Sequence, residues 1–185
     1  MCRISGISRK GKVQSVEKWS MTIHRLFSKD PNDEEENVTQ NIYVFRFILF
    51  CIIVYSFEML LNSVDIFIVD KTIFTRGYVT GCLFAAVYVL ILLHLGLEHP
   101  LTKYVSITAV SLIIMAASVS LTYHMIIIIM MPIIIAGMYT SKQLSIYTFV
   151  LTVLSIIIST YAGYYYGVCD ANMAVSYTHL TLPTN

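Results

Sequence analysis

Between Tyr104 and Tyr139 the chain runs for 36 residues without an Asp, Glu, Lys or Arg. A single helix of that length would reach about 54 Å, against a hydrocarbon core of about 30 Å. The stretch therefore folds back as two spans, and the polar tips of Thr122, Tyr123 and His124 mark the turn. Further uncharged apolar runs lie before it, at Gly77–Leu97, and after it, at Gln143–Cys169. The pattern predicts an all-α, polytopic transmembrane helix bundle.

Taken in order, the first span is expected at Tyr43–Asn62, with Arg46 one turn inside its start and Glu58 one turn before its end. Arg46 is placed to snorkel to the headgroups. Glu58 lies four residues before Asn62, so both share a helix face. Ser63–Arg76 reads as an interfacial loop, because Asp65, Asp70, Lys71 and Arg76 are too charged for the core. The second span, Gly77–Leu97, opens with Gly77, Gly81 and Ala85 on one stripe, which lets a neighbouring helix approach closely. Pro100 marks the next turn. Spans three and four are expected at Tyr104–Leu121 and His124–Tyr139, the latter kinked by Pro132 near Ile128. The fifth, Leu144–Tyr166, ends in Tyr161, Tyr164, Tyr165 and Tyr166, as helices do at a membrane interface. Gly163 and Gly167 repeat the small-residue spacing; the stripes leave room for a homodimer without requiring one.

Composition agrees. The chain is 57% hydrophobic and 12% charged, with mean hydropathy +0.73, where soluble domains carry about 25% charged residues. A net charge of +1 offers nothing to a nucleic acid. Seven of the twelve Lys and Arg precede residue 30 and an acidic run, Asp30 to Glu36, follows, so residues 1–41 form a cytosolic arm ahead of a membrane domain at 42–173. Within the arm, Val16, Trp19, Ile23, Leu26 and Phe27 share one face of a helix, with Lys18, Arg25 and Lys29 on another. That suits either a helix lying on an anionic membrane surface or one docked on its own protein. Near the spans, Arg25, Lys29, Lys103 and Lys142 fall on the side of the N-terminus and Lys71 and Arg76 on the other, which favours a cytosolic N-terminus. Five spans then leave the end of the chain outside, and a sixth is expected to return it.

No catalytic signature is present: no phosphate-binding Gly-rich loop, HExxH, kinase motif or nucleophile elbow. The cysteines, Cys2, Cys51, Cys82 and Cys169, have no metal spacing, and neither a metal nor a cofactor is expected. His94 and Glu98, four apart, read as an ordinary helix-end pair, a bilayer thickness from His124. The outer side carries the candidate ligand-sensing residues: Glu58, Tyr123, His124 and Asp170, with Pro132 as the candidate hinge. Ionisable groups at membrane depth are costly and point to function; the alternative is an aromatic belt with polar ends facing water.

Two resemblances add to this. Val175–Asn185, VSYTHLTLPTN, resembles a translated transposon-end sequencing adapter, so residues 174–185 are set apart as a non-native tail. The basic arm, the spans and the string GYYYGVCDANM over Ile42–Met173 are similar to the N-terminal membrane regions of clostridial-type bacterial signalling proteins, many of which continue into a cytosolic GGDEF diguanylate cyclase domain. The resemblance implies a sensing and anchoring input region in the bacterial cytoplasmic membrane, its output domain lost by truncation. That output is a cyclase by resemblance, or a histidine kinase or phosphatase; no GGDEF motif lies in this chain, so no enzymatic residue is carried over. The rival reading is a small-molecule transporter or transport-associated subunit, with the kinked span moving and Glu58 coupling. Against it stand the lack of a visible repeat and charges placed near the span ends.

Overall fold

The computed structural model describes residues 19–27, 36–66, 70–121 and 126–166. Among them every regular element is helical. Helix α1 covers residues 19–26; α2 is Glu36–Ser63, α3 Lys71–Leu95, α4 Thr102–Leu121, α5 Ile126–Ile129, α6 Met131–Gly137 and α7 Lys142–Tyr165. Four of these, α2, α3, α4 and α7, are long and apolar enough to cross a bilayer. The shortest, α4, has 20 residues and so reaches about 30 Å. The chain is a membrane-embedded helical bundle.

Helix α4 is its axis. In the candidate spans 61% of the α4 window is buried, against 17–28% for the other three, and α4 packs on α3, α7, α2, α5 and α6. Its sequence suits that place, because small and hydroxylated residues (Ser106, Ala109, Ser111, Ala116, Ala117, Ser118) are buried around it and let neighbours approach. Helix α7 answers with Thr148, Thr152, Ser155, Ser159 and Gly163 buried on one stripe, and the Ser111 and Ser155 hydroxyls meet at 3.0 Å. The large apolar side chains point the other way: Phe50, Ile53 and Phe57 of α2, Leu83 and Leu90 of α3, and Phe149 and Ile157 of α7 are exposed. In water such surfaces would aggregate; in a bilayer they are the solvated side.

The expected loop over Ser63–Arg76 is shorter than its charges indicate. Helix α3 already begins at Lys71, because the Asp70 carboxylate accepts from the backbone N–H groups of Thr72 and Ile73, both at 2.9 Å. Lys71 pairs with Asp65 at 2.7 Å. Helix α2 likewise starts at Glu36, inside the expected arm. At the other end of α3, Gly96 adopts φ 87° and stops the helix at Leu95, so His94 and Glu98 do not share a helical face as expected.

The expected fourth span is not one continuous helix. Four residues of α5 and seven of α6 replace it, interrupted at Met130. Pro132, at the start of α6, has no N–H for the Ile128 carbonyl, and the break falls two residues before it. The segment still carries the chain from one end of the bundle to the other. Helix α4 starts beside α7, with the Tyr104 and Tyr147 rings 5.4 Å apart, and the two run parallel, so the residues between them must return to the starting end. They do: Gln40 Nε2 donates to the Met138 carbonyl at 2.6 Å, and the Tyr139 hydroxyl donates to Asn41 at 2.8 Å.

Of the two readings open for the arm helix, α1 packs on its own protein. Thr22 and Leu26, one turn apart, are buried, and Arg25 reaches Glu98 of the α3–α4 turn at 2.7 Å. Arg46, expected at the headgroups, directs Nε to the Leu26 carbonyl at 3.4 Å. Trp19, Ile23 and Phe27, expected on the same face as Leu26, stay exposed. The amphipathic pattern located the helix but not the face that docks.

Candidate ligand groove beside Glu58

Glu58 sits on α2 five residues before its end. It lines a cavity of about 190 Å³ between α2, α4 and the broken segment. From α2 come Phe47, Cys51 and Tyr55, at successive turns of one face; α4 supplies Ile113 and Ala117, and the broken segment Ile128 and Met131. Phe47 to Glu58 is 11 residues, or about 16 Å along the helix, so the cavity is an elongated groove with one carboxylate near an end. Phe50 and Val54 at its mouth are exposed, which opens it toward lipid.

The two walls differ in stiffness. On the α2 side Tyr55 is held edge-on by Phe74 at 5.3 Å and Tyr78 at 5.4 Å. Its ring lies over Gly81, where an added Cβ would sit 3.5 Å from it, an ordinary packing distance. Ser56 and Tyr78 add a hydroxyl contact at 2.9 Å. The opposite wall is the interrupted helix at Met130, whose backbone ladder is incomplete.

Of the residues expected to sense a ligand, Glu58 lines the groove, and Pro132 is buried next to its wall residue Met131. Tyr123, His124 and Asp170 lie outside the described residues, as does the 174–185 tail. Glu58 has no hydrogen bond or ion pair to another described residue. Among the described residues no group of three His, Cys, Asp or Glu side chains can hold a metal ion, and Glu98 is taken by Arg25.

Sequence reasoning missed a polar joint at the opposite end of the bundle. Asn41 donates through Nδ2 to the Leu97 carbonyl at 2.9 Å while its Oδ1 accepts from Tyr139. Thr102 caps the Gly96 carbonyl at 2.8 Å, and the Tyr88 and Ser106 hydroxyls meet at 3.2 Å. All of these side chains are buried. The signal was an amide pair, Gln40-Asn41, at the very start of an apolar run, where a polar residue reads as flanking.

Comparison of the chain with protein-family models, with curated proteins and with solved structures finds no match.

Proposed function

We propose that this chain is the membrane-embedded sensing and anchoring input region of a bacterial signal-transduction protein. Residues 174–185 resemble a sequencing adapter, and in their place the native reading frame continues into an output domain, by resemblance a diguanylate cyclase. The observation that carries the reading is that Glu58 and the interrupted helix share one groove. An input region needs a site whose occupant interacts unequally with two helix packings. A braced wall facing a broken one supports that use, because an occupant displaces the weaker wall.

The charges support a cytosolic N-terminus in the cytoplasmic membrane. Arg25, Lys103 and Lys142 gather at the end holding Asn41, against Lys71 and Arg76 at the other end. The end of α7 then faces outside, and a sixth span leads to the output domain. The meeting of a carboxylate with a broken helix also favours a second reading, a transporter. Transport sites lie near the midplane, and Glu58, close to the end of α2, fits sensing better.

Sequencing the locus from DNA prepared without transposon-based libraries tests the proposal. The reading frame is expected to depart from VSYTHLTLPTN after about Ala174 and to encode one more span and a cytosolic domain. Recovery of VSYTHLTLPTN followed by a stop codon would overturn it.

A further inference from the structure

We infer that the groove holds the ammonium headgroup and one acyl chain of an aminophospholipid, with the Glu58 carboxylate as the headgroup's partner. The inference rests on the reading of this groove as the ligand-responsive site and names its ligand class. Three features select that occupant. The groove is long and narrow, about 16 Å along α2, with apolar side chains over nearly all of its length. Its mouth at Phe50 and Val54 opens to the lipid side of the bundle, so a bilayer lipid reaches it without crossing protein.

The third feature is charge. Glu58 lies three residues inside Leu61, about 5 Å from the end of the apolar stretch, which is the depth of the inner headgroup boundary. A carboxylate there is costly unless a cation meets it, and no described residue does. A primary ammonium brings both positive charge and N–H donors, and so makes charge-assisted hydrogen bonds. A choline head has the charge but no N–H, and a glycerol head has hydroxyl donors but no positive charge to offset the phosphate that all three heads carry.

The test uses a single tryptophan as a reporter, since Trp19 is the only one in the chain. With Trp19→Phe as background, Phe50→Trp places an indole at the groove mouth and Val153→Trp places one on the exposed face of α7. Each protein is reconstituted in glycerol-head phospholipid vesicles carrying a small fraction of brominated-chain ethanolamine or choline lipid. At Phe50→Trp the ethanolamine lipid is expected to quench at a concentration roughly tenfold lower than the choline lipid, near the low end for one hydrogen bond to a charged group. At Val153→Trp the two should quench alike, and Glu58→Gln should remove the preference at the groove.

Equal quenching at the groove, a preference also present at Val153→Trp, or one that survives Glu58→Gln overturns the inference. Should Glu58→Gln fail to fold, stepwise N-methylated ethanolamine lipids on the parent protein carry the same test. The preference should fall with each N–H removed, and a preference indifferent to methylation overturns the inference. Quenching reads occupancy, whereas the signalling reading stands or falls on output, so a failure of either is recognisable by itself.

Discussion

The Tyr139 hydroxyl donates to Asn41 Oδ1 at 2.8 Å, across 98 residues of sequence. Through this bond the lower end of the broken segment is fastened to the first turns of α2, and Asn41 in turn is fastened to the α3–α4 turn at Leu97. One end of the bundle is thus closed by buried hydrogen bonds. The other end holds the groove, where Ile128 and Met131 of the broken segment face Phe47, Cys51, Tyr55 and Glu58 of α2 among its lining residues. A segment pinned below and interrupted above can tilt at its upper half.

The pinned end should be the stable one. Tyr139→Phe leaves Asn41 with one partner fewer and is expected to cost about 1 kcal/mol in detergent unfolding. Asn41→Leu loses both of its bonds, to the Leu97 carbonyl and from the Tyr139 hydroxyl, so it should cost more. A double-mutant cycle between the two positions measures their coupling. Additive effects would show that the bond contributes nothing.

Helix α1 is held by burial more than by charge. The Arg25–Glu98 pair has side chains 41% and 69% exposed, and such pairs contribute about 0–1 kcal/mol. Arg25→Ala should therefore raise amide exchange over residues 19–26 only slightly. Leu26→Ala removes a side chain that is 2% exposed and should raise it severalfold, by the large cost of truncating a buried leucine. Equal effects would mean that the ion pair, not the core contact, docks the helix.

Orientation is checked by cysteine accessibility in a cysteine-free background. A cysteine replacing Lys71 should react with an impermeant maleimide in intact cells, and one replacing Lys142 should react only after permeabilisation. The reverse pattern would put the arm outside and remove the need for a sixth span.

Much of this architecture was legible in the sequence because bilayer thickness converts uncharged run length directly into span number. The 36-residue run had to turn once, and Pro132 announced an interruption in its second half. Hydropathy could not reveal that α4 is the axis: its window has the lowest mean hydropathy of the four, 1.6, because Ser and Ala serve close packing, not lipid contact. Nor could it show that Asp70 starts α3 in the expected loop, since a capping carboxylate and a loop carboxylate look alike until the backbone is placed. Glu58 stood out as an ionisable group in an apolar run, yet its groove is tertiary. It is built from residues 47–58, 113–117 and 128–131, and no spacing within one segment encodes that meeting. The Asn41 joint was hidden for the same reason.

The central claim is that the groove beside Glu58 acts on the output through the broken segment. The most direct measurement is the activity of the full-length protein in membranes of equal expression, comparing the parent with Glu58→Gln, Pro132→Ala and, as a control on the far side of the bundle, Val153→Ala. Glu58→Gln is expected to shift output by changing what the groove holds. Pro132→Ala restores the missing N–H near the break and should blunt the response while lipid occupancy of the groove persists, and Val153→Ala should match the parent. If Glu58→Gln and Pro132→Ala both signal like the parent, the bundle anchors its protein and senses nothing.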